Sequence, residues 1–147
     1  PTQIYSSLLD FLNFAVLCLI ARHVKKDKIV AGCYLATMGP QGMQELGARI
    51  LAYAAYAQQK LAALPGVKVN PAPVFQEFVV DFSATGKTVA EINAALLERN
   101  IFGGVDLGRA FPDCQGQALY CVSDTTTAAD IDTLYAALAA ILGGSAQ

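Results

Sequence analysis

The sequence predicts an α+β fold: a small antiparallel or mixed sheet with helices on one face, plus N-terminal helices. Three observations carry that expectation. Apolar residues recur at steps of three and four over residues 42–64 and again over residues 128–142, the period of a helix with one buried stripe. Between those stretches lie short runs rich in β-branched and aromatic residues, residues 74–82 and 118–122, which read as strands. Glycine and proline separate the elements, at Pro65-Gly66, at Pro71 and Pro73, and at Gly103-Gly104. The chain has 147 residues, one domain by length and enough to bury a proper core.

In chain order, residues 1–29 read as an apolar N-terminal helix. Its uninterrupted apolar stretch, residues 14–21, falls short of the roughly 18–20 residues that a spanning helix needs. Arg22, Lys25, Lys26 and Lys28 follow the apolar part instead of preceding it, which is the wrong order for a signal peptide. Ser6 or Ser7 can cap the start, and the lysines suit the negative end of the helix dipole. Helix continues over residues 28–37 and stops at Met38-Gly39-Pro40, because proline cannot extend the hydrogen-bond ladder.

A long helix then spans residues 42–64, with Met43, Leu46, Ile50, Tyr53, Leu61 and Leu64 inward and Glu45, Arg49, Gln58, Gln59 and Lys60 elsewhere. Residues 67–70 and 74–82 form strands, and Thr88 caps a helix over residues 89–99 with Ile92, Ala95 and Leu96 inward. Strands follow over residues 101–105 and 118–122. Thr127 or a neighbour starts the last helix, whose inward face is Ile131, Leu134, Leu138 and Ile141, and residues 143–147 are a frayed tail. The three glycines Gly103, Gly104 and Gly108 mark places of positive φ or close backbone approach.

Composition excludes some function classes. A net charge of −2 leaves no basic stripe for nucleic acid. A hydrophobic share of 54% against 15% charged residues leaves a surface short of charge, with an apolar face to spare for a partner. The cysteines Cys18, Cys33, Cys114 and Cys121 are widely spaced and there is one histidine, His23, so no zinc pattern exists. Counting leaves disulfides open, but three of the four lie in apolar runs, where reduced buried thiols are the commoner occupants. A reducing cytoplasm fits.

Each candidate for chemistry carries a bland alternative. Residues 81–88, Asp-Phe-Ser-Ala-Thr-Gly-Lys-Thr, resemble a phosphate-binding loop except that Asp81 replaces the leading glycine; a capped strand-to-helix turn explains them better. Arg109 can hold a carboxylate bidentately and is the candidate substrate-binding residue; the competing readings are an ion pair with Asp106 or a subunit contact. His23 reads as a solvated helix end. No serine or second histidine supports a triad. Cys121 reads as a buried, inert strand thiol, and Asp124, Asp130 and Asp132 as helix-start residues in place of a calcium loop.

Three runs carry a family resemblance: residues 35–46 (Leu-Ala-Thr-Met-Gly-Pro-Gln-Gly-Met-Gln-Glu-Leu), residues 104–112 (Gly-Val-Asp-Leu-Gly-Arg-Ala-Phe-Pro) and residues 120–132 (Tyr-Cys-Val-Ser-Asp-Thr-Thr-Thr-Ala-Ala-Asp-Ile-Asp). They resemble the C-terminal part of glycine dehydrogenase (decarboxylating), the P-protein of the glycine cleavage system, and more narrowly subunit 1 of its split form. The resemblance covers residues 30–142 as one C-terminal-type α/β domain and leaves residues 1–29 unmatched. It implies the small-domain fold of fold type I pyridoxal-phosphate enzymes and a cytoplasmic, oligomeric oxidoreductase of glycine catabolism. It also implies an enzyme that decarboxylates glycine with subunit 2 and passes the aminomethyl group to the lipoyl arm of H-protein. The resemblance places the cofactor lysine on subunit 2. This chain alone is therefore expected to hold no catalytic residue, no pyridoxal phosphate and no metal, and to be inactive. The other reading is a free-standing interaction or dimerisation module without catalysis, with no nucleic-acid or membrane partner.

Overall fold

The computed structural model describes residues 26–143. They divide into two compact units, one ending at Gln44 and the other beginning at Glu45. The expectations for Cys18, His23 and the apolar stretch before residue 26 lie outside the described residues. Helix α1, Lys26–Ala62, runs through the division. Gly39 inside it has φ 61 and ψ 178, a conformation essentially reserved for glycine, and Pro40 next to it has no amide to donate. The expected stop at Met38-Gly39-Pro40 is thus a break, with helix resuming at once. In the first unit Val30, Tyr34 and Leu35 are exposed.

The second unit holds the sheet. Its part of α1 buries Ile50, Ala54, Ala57 and Leu61, and Leu64 beyond the helix continues the stripe. That alternation of four and three is the helical period expected, but two of its members are alanines, which let a helix approach its neighbour closely. Met43 and Leu46, expected inward, are exposed and half-buried instead. Gln58, expected on the polar side, is buried: its Nε2 donates to the carbonyls of Asn70 at 2.8 Å and Ala72 at 3.2 Å. A buried amide is tolerable when it is satisfied in this way, and here it fastens the segment after the first strand.

Strands β1 (Lys68–Val69), β2 (Glu77–Asp81), β3 (Val105–Asp106) and β4 (Gln117–Cys121) form one antiparallel sheet in the order β1-β2-β4-β3. The expected strand over residues 74–82 is shortened at its start, where Pro73 cannot donate to a ladder and Phe75 is exposed. The strand expected over residues 101–105 begins only at Val105. Asn100, at φ 58, closes the preceding helix and Ile101 N bonds back to Leu96 O at 3.0 Å. The Gly104 carbonyl then goes to the Asn93 side chain at 2.8 Å, so no ladder forms before Val105.

Helix α2, Val89–Leu97, starts with a capping box: Thr88 Oγ1 accepts from Glu91 N, and the Glu91 carboxylate accepts from Thr88 N. Helix α3, Ala128–Gly143, repeats the device with Thr127 and Asp130. Hydrogen bonds from the Thr88 amide and hydroxyl hold the Glu91 carboxyl below its ordinary range, and the Thr127 hydroxyl does the same for Asp130.

All three described helices contribute to one core against one sheet face. Phe78, Val80, Ala118 and Tyr120 point into it, joined by Phe82, Leu61, Ile92, Leu96, Ile131, Leu138 and Ile141. Full burial of each large aliphatic or Phe side chain contributes about 1.5–3 kcal/mol before the entropy of ordering is subtracted. Leu134, expected inward on α3, is partly buried, and Ala137 takes a buried place beside the fully buried Leu138.

Candidate functional site

The residue that sequence alone singles out, Arg109, lies in the connection from β3 to β4. Asp106 turns the chain there: its Oδ1 accepts from Gly108 N at 3.0 Å and opens a single 3-10 turn, Leu107–Arg109. Ala110 N and Phe111 N close onto Leu107 O, and Gln115 Nε2 reaches back to Gly108 O at 3.1 Å. A second turn, Pro112–Cys114, leads into β4. Arg109 is exposed on this scaffold. The competing ion pair with Asp106 does not form within 4 Å; Asp106 Oδ1 accepts from the Gly108 amide. Among the described residues the one ion pair within 4 Å joins Lys60 to Asp132.

Behind the connection the backbone passes close to two side chains. A Cβ on Gly103 would lie 2.0 Å from Asn93 Oδ1, and one on Gly104 would lie 2.6 Å from the Tyr120 ring. Of the two roles open to these glycines, close approach is therefore the one used; neither has positive φ. Asn93 Oδ1 and the Tyr120 hydroxyl are both buried, and neither finds a hydrogen-bond partner among the described residues. Burial pushes the Tyr120 hydroxyl up to about 12, so it stays protonated at any physiological pH.

Residues 81–88 make the capped turn. Asp81 Oδ1 accepts from Ser83 N at 2.8 Å, a short 3-10 turn follows at Ser83–Thr85, and Gly86 leads into Thr88. A cleft of about 380 Å³ runs beside it, lined by Ser83, Gly86, Lys87, Thr88, Asp106 and Gln115. The Glu91 carboxylate already occupies the amide of Thr88, and on the wall itself the charge of Asp106 offsets that of Lys87.

The three aspartates separate into three tasks. Asp130 caps α3, and the Asp124 carbonyl accepts from Arg49 at 2.8 Å. Asp132 meets Lys60 Nζ at 2.8 Å and the Tyr56 hydroxyl at 2.7 Å. Lys60 also lies over the Tyr56 and Tyr135 rings, at 5.2 and 5.3 Å from their centroids. Hydrogen bonding to Asp132, then to Tyr56, holds Lys60 firmly protonated, and Lys60 in turn draws Asp132 down. Sequence reasoning missed this clamp between α1 and α3. Tyr56 and Lys60 stand four apart on one helix and were readable as a pair, whereas Asp132 is far off in sequence.

Cys121 is a correction. It is exposed, not buried, because the strand alternates and Tyr120 takes the inward place. Its Sγ accepts from Gln76 Nε2 at 3.4 Å. Cys33 is exposed too, so the expectation of buried thiols in the apolar runs fails at both described cysteines of those runs; Cys114, outside them, is half-buried. Among the described residues no three His, Cys, Asp or Glu side chains gather closely enough to hold a metal ion, and no helix is long and apolar enough to cross a membrane.

Comparison with protein-family models finds no match. Comparison with curated proteins finds the family of the sequence resemblance. The chain is 38% identical to a probable glycine dehydrogenase (decarboxylating) subunit 1 of Moorella thermoacetica, over 86% of this chain and 32% of that protein. It is 37% identical to the protein of the same name from Desulforamulus reducens, over 86% of this chain and 31% of the relative, and 33% identical to that of Bacillus thuringiensis over the same shares. The chain thus spans about a third of the length of the curated relatives it matches. Among solved structures, a glycine decarboxylase (P-protein) of the glycine cleavage system in inhibitor-bound form superimposes with a TM-score of 0.67 at 25% identity, over 77% of this chain and 25% of that one. A match over 86% of the chain is longer than residues 30–147, so the similarity reaches back into the first 29 residues, where the three motifs do not.

Proposed function

We propose that this chain is the C-terminal domain of the glycine cleavage system P-protein subunit 1, over residues 30–142, and that it lends fold and interface to a pyridoxal-phosphate enzyme. The observation that carries this reading is similarity to subunit 1 proteins over 86% of the chain, together with the P-protein likeness of its fold. In the whole enzyme, subunit 2 and H-protein are the partners, and glycine is decarboxylated with transfer of the aminomethyl group to the lipoyl arm. The setting is cytoplasmic.

The cofactor supplies an electron sink when bound, and its covalent anchor needs a lysine that can lose its proton. Lys60 does not fit: Asp132 and Tyr56 hold it protonated, on the outer side of α1 against α3. In the cleft at residues 83–88 the Thr88 amide is already taken by Glu91 and Asp106 offsets Lys87 in the lining, so no net positive cradle awaits a phosphate. In this reading the cofactor sits on another part of the enzyme. Arg109, exposed and unpaired among the described residues, is the side chain proposed to hold a substrate carboxylate.

A hybrid in which this chain replaces the matched third of the Moorella relative, mixed with subunit 2 and H-protein, tests the reading by glycine-dependent release of carbon dioxide. Retained activity is expected, and loss of all activity in a folded hybrid refutes it. The chain alone, titrated with pyridoxal phosphate, should show no absorbance band of a lysine-bound cofactor. A second reading, a free-standing interaction or dimerisation module, is favoured by the exposed apolar residues on the sheet. It predicts a dimer of the isolated chain in light scattering.

A further inference from the structure

Two connections that are distant in sequence border the same cleft of about 380 Å³: the one from β2 to α2, with Lys87, and the one from β3 to β4, with Asp106 and Gln115. Phe82 N donates to Gly116 O at 2.8 Å, and a Cβ on Gly116 would lie 3.1 Å from Ser83 Cα, so the two connections are fastened together beside it. Lys87 and Asp106 are both half-buried and line the cleft with opposite charges. They do not pair with each other, because among the described residues the one ion pair within 4 Å joins Lys60 to Asp132. Asp106 spends one oxygen on Gly108 N, and Gln115 spends its amide nitrogen on Gly108 O, which leaves the second oxygen of Asp106 and Gln115 Oε1 without partners among the described residues. Glu91, the acidic neighbour of Lys87, is held by the Thr88 amide and hydroxyl and does not line the cleft. A half-buried charge is poorly solvated, so each of the two gains from an opposite charge brought beside it.

We propose that this cleft binds a small zwitterion of dipeptide size, its carboxylate on Lys87, its ammonium on Asp106 and its peptide group against the Gln115 amide. The charge pattern selects that class. A phosphate or a dicarboxylate sets negative charge against Asp106, and a simple cation sets its charge against Lys87, whereas a ligand carrying one charge of each sign satisfies both. Size agrees, since the volume lies at the small end of the roughly 300–1,000 Å³ of ligand sites. A bound zwitterion spans the two connections and braces the Arg109 turn, which Asp106 and Gln115 shape. The inference stands apart from the family reading and does not fall with it.

Titration of the nitrogen-15-labelled full chain with glycylglycine tests this through the amide resonances of Gly86, Lys87, Gln115 and Gly116. Saturable shifts at these positions are expected. Lys87→Gln and Asp106→Asn should each weaken binding about fivefold, the worth of one partly exposed charge pair, and N-acetylglycinamide, which carries neither charge, should bind about twentyfold more weakly than glycylglycine. Asp106→Asn keeps an oxygen for the Gly108 amide, so an unmoved Gly108 resonance shows that the turn survives. Absence of saturable shifts overturns the proposal, and so does N-acetylglycinamide binding as well as glycylglycine. Acetate or methylammonium binding as tightly as glycylglycine reduces the cleft to a simple ion site, which also overturns it. Folded variants that bind like the wild type remove the two charges from the argument and the proposal with them; if a variant fails to fold, the comparison of charged and uncharged ligands on the wild type decides alone.

Discussion

Phe78 and Val79 adjoin in the chain and part company in the fold: one is buried among three helices, the other stands on the bare side of the sheet. The contrast extends along both central strands. On the covered side Phe78, Val80, Ala118 and Tyr120 meet side chains from α1, α2 and α3. On the bare side Val79, Leu119 and Val105 meet one another. Both faces are apolar at their centres, so hydropathy alone does not distinguish them. What separates them is which residues the helices bring, and the lesson is that an alternating strand can serve two interfaces when both phases are apolar.

Substitutions on the two faces should differ accordingly. The largest effect is expected for Leu61→Ala, which removes a fully buried side chain and should cost about 2–5 kcal/mol in urea denaturation. An effect below about 1 kcal/mol would mean the covered side is loosely packed. Next comes Gly104→Ala, where the new methyl would overlap the Tyr120 ring and Leu119 O; a loss of about 1–3 kcal/mol is expected, with changed near-ultraviolet dichroism from Tyr120.

Thr88→Ala, on the rim of the covered side, should cost about 1 kcal/mol by loss of the cap. This effect is pH-dependent. Glu91 and Asp130 have carboxyls drawn below their unfolded values, so their contribution is full above the ordinary carboxylate range and is lost as pH falls through the lowered values. The stability gap between the wild type and Thr88→Ala should therefore shrink in acid, and a gap that stays constant down to the acid transition would show that the Glu91 half of the box is idle. The smallest effect is expected for Val79→Lys in the chain alone, within about 0.5 kcal/mol, as for other exposed positions. A large loss there would show that the bare side is covered even without a partner.

Much of this was legible in the sequence because it is local. Thr88 and Thr127 announce α2 and α3, Gly39-Pro40 announces the break in α1, and Ile92, Leu96, Ile131, Leu138 and Ile141 announce their buried stripes. The illegible parts depend on pairing at a distance. Cys121 was read as core because its strand is apolar in both phases, and only the register with β2 fixes which phase is inside. Gln58 reads as surface until Asn70 and Ala72 supply its partners, and β3 reads four residues early until Asn93 takes the Gly104 carbonyl. The Arg109 turn is visible as a glycine-rich junction, but that Asp106 caps Gly108 is decided by the backbone.

The strand order β1-β2-β4-β3 has a consequence for synthesis. β2 finds its long partner only in β4, forty-four residues later at the register pair of Glu77 with Cys121 and beyond α2 and β3. A nascent chain leaving the ribosome can wind α1 and α2 early, since their contacts are near in sequence, but it cannot close the sheet until β4 has emerged. Until then the inner side of β2 stays bare, and that interval is when a chaperone or a premature stop would matter most.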